Sequence, residues 1–204
     1  MSIILIEILA VVFGVIHGVT AMLNKRINWY AYAMQMICMV ILSFGFSLYG
    51  DTVHNLIYIP ICILAWFLWR PNGFSGSISR LSKICKIIAV SGITVLSIAI
   101  WVWLKDTDDP VPELDAFTTA LTIIGIGMLM MRKAEAWILW IINYIATIIQ
   151  YILIPERPVL LISLNVVLII LAYFSYKKWL KIFNGEQTEK NNDMICSTGH
   201  GFCL

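Results

Sequence analysis

Seven apolar stretches, residues 3–23, 28–50, 53–69, 87–104, 116–131, 136–154 and 159–180, take up most of this 204-residue chain. A helix needs about 20 largely apolar residues to cross the roughly 30 Å hydrocarbon core of a bilayer, so each stretch reads as a membrane span. With 60% hydrophobic and 13% charged residues, the chain carries more apolar surface than a soluble domain can bury. The opening MSIILIEIL lacks a basic segment, carries Glu7 and has no small-residue cleavage site. It therefore reads as a retained first helix rather than a signal peptide. No soluble domain is expected.

Basic residues in short loops mark the cytoplasmic side. Seven crossings put Lys25, Arg26, Arg70, Arg80, Lys83, Lys86, Arg132, Lys133, Lys177, Lys178, Lys181 and Lys190 on one side, twelve of fourteen. Lys105 and Arg157 remain on the other, with the acidic loop KDTDDPVPELD. The expected placement is a multi-pass protein of the cell (inner) membrane, amino terminus outside and carboxyl terminus cytoplasmic.

A shift of 108 residues sets Glu7 on Asp115, Lys25 on Lys133, Trp29 on Trp137, Tyr32 on Trp140, Gln35 on Asn143 and Trp66 on Phe174. Six coincidences of residue character in one register suggest an internal repeat, a common trace of a carrier. The expected fold class is an all-α membrane protein with seven transmembrane helices in a 3-1-3 arrangement. A single connector helix between two odd bundles inserts both in the same sense, so the pseudo-repeats are parallel. Residues 1–70 form the first three-helix bundle, 71–105 a basic cytoplasmic loop and connector helix, 106–180 the second bundle, and 181–204 a polar cytoplasmic tail read as disordered.

The order of Glu7, LYGDTVHNLIYI (48–59), AWFLW (65–69), DAFTTAL (115–121) and MRKAEAWILWIIN (131–143) resembles the PnuC-type vitamin transporters, represented by nicotinamide riboside carriers and related in architecture to the SWEET sugar facilitators. The resemblance covers nearly all of residues 5–180. It implies uptake of a vitamin or nucleoside-like molecule for NAD biosynthesis, with a cytoplasmic kinase acting downstream, without a stable complex, to trap the entering nucleoside. A homo-oligomer is a possible assembly, and neither cofactor nor nucleic acid enters the scheme.

Within AWILWIINY, Trp137, Trp140 and Asn143 share a helix face. An Asn in hydrocarbon needs a partner, so that face should point into the bundle or a wet cavity. Gln35 with Trp29 and Tyr32 should oppose it across the pseudo-axis. Together with Tyr144, Asn55 and Trp66, these residues are the candidate substrate-binding set, suited to a flat heteroaromatic ring bearing a ribose, held by stacking and, for a cationic ring, by cation–π attraction. The resembled carriers have W-x-x-W-x-x-x-N here, which puts Tyr144 where their Asn stands; Gln35 replaces an Asn and Asn55 a Gln. These departures keep thiamine, riboflavin and a deoxynucleoside open as cargo beside nicotinamide riboside.

Plainer readings stand beside these. Trp101, Trp103 and Trp179 suit interfacial anchors, and amides within spans also join helices to each other. His17 lies mid-span, either functional or bonded to a backbone carbonyl. Pro60 is expected to kink the third span. Cys196, His200 and Cys203 in the tail offer three ligands, too few to close a zinc site, so no metal site is expected. Glu7, Asp51, Asp115, Glu135 and Glu156 fall at span ends, which favours facilitated diffusion over ion coupling. No catalytic motif is present, so an enzyme is not expected, and a non-transporting scaffold is the remaining alternative.

Overall fold

A computed structural model describes residues 3–69 and 77–197, with side chains as far as residue 188. Arg70, His200 and Cys203 lie outside the described residues, as do the side chains of Lys190 and Cys196. The described residues form seven helices: α1 (Ile3–Met22), α2 (Asn28–Gly45), α3 (Tyr49–Leu68), α4 (Lys83–Leu104), α5 (Pro112–Met130), α6 (Ala136–Leu153) and α7 (Val159–Ser197). Six are long and apolar enough to cross a membrane. The remaining one, α2, is 18 residues long and carries Asn28 and Gln35 among weakly apolar aromatics. The protein is a multi-pass membrane protein built of helices.

The helices form a closed ring. Neighbours are α1 with α2, α2 with α3, α3 with α5, α5 with α6, α6 with α7, and α7 back to α1, while α4 packs outside, chiefly on α5. Close approach of α1 and α7 depends on small residues: a Cβ on Gly18 would lie 3.0 Å from both Leu168 and Leu171. Such glycines let membrane helices approach where no hydrophobic effect drives them together.

The α1–α2 and α5–α6 turns repeat bond for bond at 108 residues. Lys25 N donates to Thr20 O at 2.8 Å and Lys133 N to Met128 O at 2.9 Å; Asn28 N donates to Lys25 O at 3.1 Å and Ala136 N to Lys133 O at 3.0 Å. Asn24 (φ 53°) and Arg132 (φ 52°) hold the same left-handed position. Ser47 (φ 57°) and Arg157 (φ 42°) punctuate the next connections. The α2–α3 connection has three residues (46–48) and the α6–α7 connection five (154–158), so the third helices correspond at a shift of 110. That corrects the pairing of Trp66 with Phe174: in the structural register Trp69 matches Trp179.

Helix bounds differ from the hydropathy windows at several places, with α4 and α5 starting at Lys83 and Pro112 rather than at 87 and 116. The left-handed Ser47 stops α2 at Gly45, and α3 starts at Tyr49, so Asp51 belongs to its first turn rather than to a loop. α3 runs through Pro60 without interruption. α7 continues to Ser197, so the segment expected to be disordered after residue 180 prolongs the last helix.

The turns of α1–α2 and α5–α6 share one end of the ring with Lys25, Arg26, Arg132 and Lys133; this is called the basic end. The opposite end carries the 105–111 loop with Asp106, Asp108 and Asp109, and is called the acidic end. At the basic end the segment before α4 is strapped to the α5–α6 turn. Ser79 N donates to Arg132 O at 3.1 Å, Ala134 N to Ser79 O at 2.9 Å and Lys133 Nζ to Ser79 Oγ at 2.8 Å. The Glu135 carboxylate accepts from Leu81 N at 2.9 Å and Arg80 Nε at 3.2 Å and pairs with Lys86 Nζ at 3.2 Å. Burial pushes the Glu135 pKa up, but these donors outweigh it and hold it below the ordinary carboxylate range.

Candidate functional site

Inside the ring lies a narrow cavity of about 80 Å³, smaller than the roughly 300–1,000 Å³ usual for small-molecule sites, so a ligand of nucleoside size needs the ring to open around it. Each ring helix contributes to its lining. α1 supplies His17; α2 Tyr32, Gln35, Met36 and Met39; α3 Asp51, His54 and Asn55; α5 Thr118 and Thr122; α6 Trp140, Asn143, Tyr144, Thr147 and Tyr151; α7 Leu161, Leu164, Asn165 and Leu168. The lining includes neither Lys nor Arg.

Aromatic rings form the part of the cavity toward the basic end. His17 stacks on Tyr32 with centroids 4.3 Å apart, Trp140 stacks on Tyr144 at 5.7 Å, and Tyr32 meets the edge of Trp140 at 6.4 Å. His17 Nδ1 lies 3.3 Å from Asn28 O, which suits an N–H donor there and leaves Nε2 as an acceptor in the neutral ring. His17 is thus both bonded to a backbone carbonyl and on the cavity wall.

The amides differ in how much of their bonding is spent. Asn143 Oδ1 accepts from Thr122 Oγ1 at 3.3 Å, and Asn165 Nδ2 donates to Leu161 O at 2.8 Å. Gln35 and Asn55 bond to no side chain or backbone group among the described residues. A Cβ on Gly14 would come within 2.9 Å of Gln35 Nε2, so the glycine makes room for that carboxamide. An amide offers both donor and acceptor, which suits hydroxyls or another carboxamide.

The residues chosen from the sequence therefore divide. Tyr32, Gln35, Asn55, Trp140, Asn143 and Tyr144 come together on the cavity wall, whereas Trp29, Trp137 and Trp66 do not. Trp29 meets Trp69 edge-on at 5.3 Å and 88°, and Trp137 meets Trp179 at 5.4 Å and 90°; Trp69 and Trp179 are 6.2 Å apart. All four are at most 3% exposed. They form a layer across the basic end, one helical turn beyond Tyr32 and Trp140, since three residues rise about 4.5 Å. Trp179 is accordingly part of this layer and not an interfacial anchor. Trp66 faces outward on an apolar groove between α2 and α3, with the Arg26 guanidinium 4.0 Å over its ring.

Missing from that choice were Asp51, His54, Thr118, Thr122, Thr147, Tyr151 and Asn165. The signal was present in the sequence: Asp51, Asn55 and Tyr58 recur at helical spacing, as do Thr118 and Thr122. Asp51 and Asp115 do fall at span ends, in the first turns of α3 and α5, but both are buried in the protein, at 6% and 0% exposed, and Asp51 also lines the cavity.

The structural register sharpens the contrast between α3 and α7. At a shift of 110, Asp51, His54, Asn55 and Tyr58 correspond to Leu161, Leu164, Asn165 and Leu168. The same four positions are polar or aromatic on one wall and, apart from the shared Asn, aliphatic on the other.

Among known proteins, the family model described as nicotinamide mononucleotide transporter matches residues 4–181. The nicotinamide riboside transporter PnuC of Neisseria mucosa is 23% identical over 186 residues, covering 85% of this chain and 71% of that protein. The protein of the same name from Haemophilus influenzae is 26% identical over 133 residues, covering 62% of this chain and 57% of its own length. A crystal structure of the vitamin B3 transporter PnuC superposes with a TM-score of 0.75 at 23% identity, over 87% of this chain and 81% of that one, which establishes a shared fold.

Proposed function

The chain belongs to the nicotinamide mononucleotide transporter family, and from that premise we propose that it is a facilitator for nicotinamide riboside. The observation that carries this reading is the cavity lining: stacked aromatic rings, two amides with unspent bonding capacity, and no Lys or Arg. Stacked rings suit a pyridinium base, and the amides suit the ribose hydroxyls and the carboxamide. A phosphate in the same space would be a buried anion without a cation, which is costly. The riboside is therefore favoured over the mononucleotide in the family's name, in line with the names of the two relatives.

Transport proceeds by rocking of two three-helix bundles, α1–α3 and α5–α7, about the cavity, with α4 as the connector of a 3-1-3 parallel repeat. The repeated turns and the matching tryptophan pairs support this arrangement. The basic end is cytoplasmic, and movement is uncoupled from ions, with phosphorylation of the arriving nucleoside by a cytoplasmic kinase giving direction. Proteoliposomes should equilibrate nicotinamide riboside without a proton or sodium gradient and exclude the mononucleotide. Accumulation that collapses with an uncoupler would reject facilitation, and uptake of the mononucleotide alone would reject the substrate. For orientation, a cysteine replacing Asp108 should react with an impermeant thiol reagent outside intact cells, and one replacing Thr188 should not.

A further inference from the structure

Two buried carboxylates at the acidic end are used in opposite ways. Asp115 is satisfied within the protein: Oδ2 accepts from Gly50 N at 2.7 Å, and Oδ1 accepts from Asp51 N at 2.9 Å and Thr119 Oγ1 at 3.4 Å. Gly50 and Asp51 open α3, where unpaired amides and the helix dipole favour an anion. Gly50 allows this approach, since a Cβ there would sit 2.8 Å from Asp115 Oδ2. Asp115 is fully buried and does not line the cavity.

Asp51 lines the cavity and stands against Asp115, with which its carboxylate shares a side-chain hydrogen bond. Its Oδ2 accepts one long bond from Gln150 Nε2 at 3.4 Å, and its Oδ1 lies 3.6 Å from His54 Nδ1, whose nearer partner is Thr119 Oγ1 at 3.2 Å. An ionised carboxylate has about four acceptor positions, so part of this one's capacity is left for a ligand. The groups around it are His54 on α3, Asp115 and Thr118 on α5, Gln150 and Tyr151 on α6, and Asp109 on the preceding loop. No Lys or Arg pairs with Asp51 among the described residues. Asp109 adds negative potential beside it, and the corresponding position on α7 is Leu161, so the potential is confined to one wall.

We infer that Asp51 is the specificity determinant for ring charge: its carboxylate supplies the counter-charge for a cationic N-glycosylated heteroaromatic ring, and the cavity discriminates against a neutral ring of the same shape. This rests on the nicotinamide riboside reading and adds to it the residue and the chemistry of selection. Rings and carboxylate act together, because aromatic faces favour a cation in general while Asp51 gives its charge a fixed direction.

The probe pair is nicotinamide riboside and its reduced dihydropyridine form, which share size, ribose and carboxamide but differ by one positive charge. Calorimetry on detergent-purified protein should find the cation bound about tenfold or more tightly than the neutral form. In Asp51→Asn, which keeps shape and removes charge, that ratio should fall to within about threefold through loss of affinity for the cation, with the neutral form bound as before. An unchanged ratio in the variant, or an equal loss for both ligands, overturns the inference. If Asp51→Asn does not fold, Asp51→Glu serves: retained preference for the cation supports the assignment and equal binding of both forms overturns it. Wild-type protein that binds neither ligand defeats the substrate reading itself, whereas wild-type protein that binds both equally defeats only the role of Asp51.

Discussion

At the basic end, each half of the ring contributes the same edge-on tryptophan pair, Trp29 with Trp69 and Trp137 with Trp179, on turns whose hydrogen bonds repeat residue for residue. At the acidic end the halves diverge. Asp115 caps α3 through Gly50 and Asp51, whereas Glu7, its counterpart in the 108-residue register, makes no hydrogen bond among the described residues. The sequences differ there too: α7 has Leu160 where α3 has Gly50, the residue whose missing Cβ lets the Asp115 carboxylate approach. Under the proposed rocking mechanism, symmetry is kept where the two bundles would move as matched bodies, and it is broken on the wall proposed to face the charged ring.

The strongest way to break this comparison is to remove one indole from each half. Trp29→Ala and Trp137→Ala should each cost about 3–5 kcal/mol of stability, the usual range for a buried aromatic. Detergent thermal unfolding should show similar losses for the two variants. A large loss for one and none for the other would mean that the layer is symmetric in geometry only.

At the acidic end, Gly50→Ala should displace the Asp115 carboxylate and destabilise the protein by about 1–3 kcal/mol, although alanine is the better helix former. Asp115→Asn should lose much of the same stability, and in the Asp115→Asn background Gly50→Ala should cost far less. Additive losses would show that the cap is not what joins the two residues.

Between the ends, Asn143→Ala and Gln35→Ala probe the symmetric amides. Each should weaken nicotinamide riboside binding about tenfold, ~1.4 kcal/mol. Stability without ligand should change more for Asn143, which bonds Thr122, than for Gln35. Calorimetry together with thermal unfolding of the same preparations separates the two effects. Normal affinity in both variants would remove the amides from the site.

The smallest effect is expected at the strap before α4. Because the Glu135 pKa is lowered in the folded protein, its contribution is complete above the unfolded carboxylate value of about 4.3 and is lost as pH falls through the lower folded value. Glu135→Gln should cost about 1 kcal/mol near neutral pH and nothing further in acid. A wild-type stability curve that already falls between pH 7 and 5 would point to another group.

Much of this arrangement was legible in the sequence because hydropathy and spacing report which face of a helix is buried. Tyr32 with Gln35 and Trp140 with Asn143 follow from that periodicity alone. Periodicity says nothing of depth, however. Trp29 and Trp137 share a face with their cavity-lining neighbours yet stand one turn away, in the layer that crosses the basic end. Asp51 was legible as a span end but not as part of the cavity. A charged residue at the edge of an apolar window says nothing of whether it faces the bundle, and the left-handed Ser47, which starts α3 at Tyr49, decides that.

The peripheral position of α4 bears on how freely its sequence can vary. Of its 22 residues only Ile93 and Leu104 are buried, and none lines the cavity. A saturation library of α4 should therefore accept almost any apolar side chain along its lipid-facing length, with intolerance confined to the side against α5. Excision is another matter, since a chain that crosses the bilayer one time fewer delivers everything after the gap to the wrong leaflet. Substitutions along its exposed side should therefore be tolerated while its deletion should not, so genetic variation along the chain should be most permissive in the one element whose presence is least negotiable.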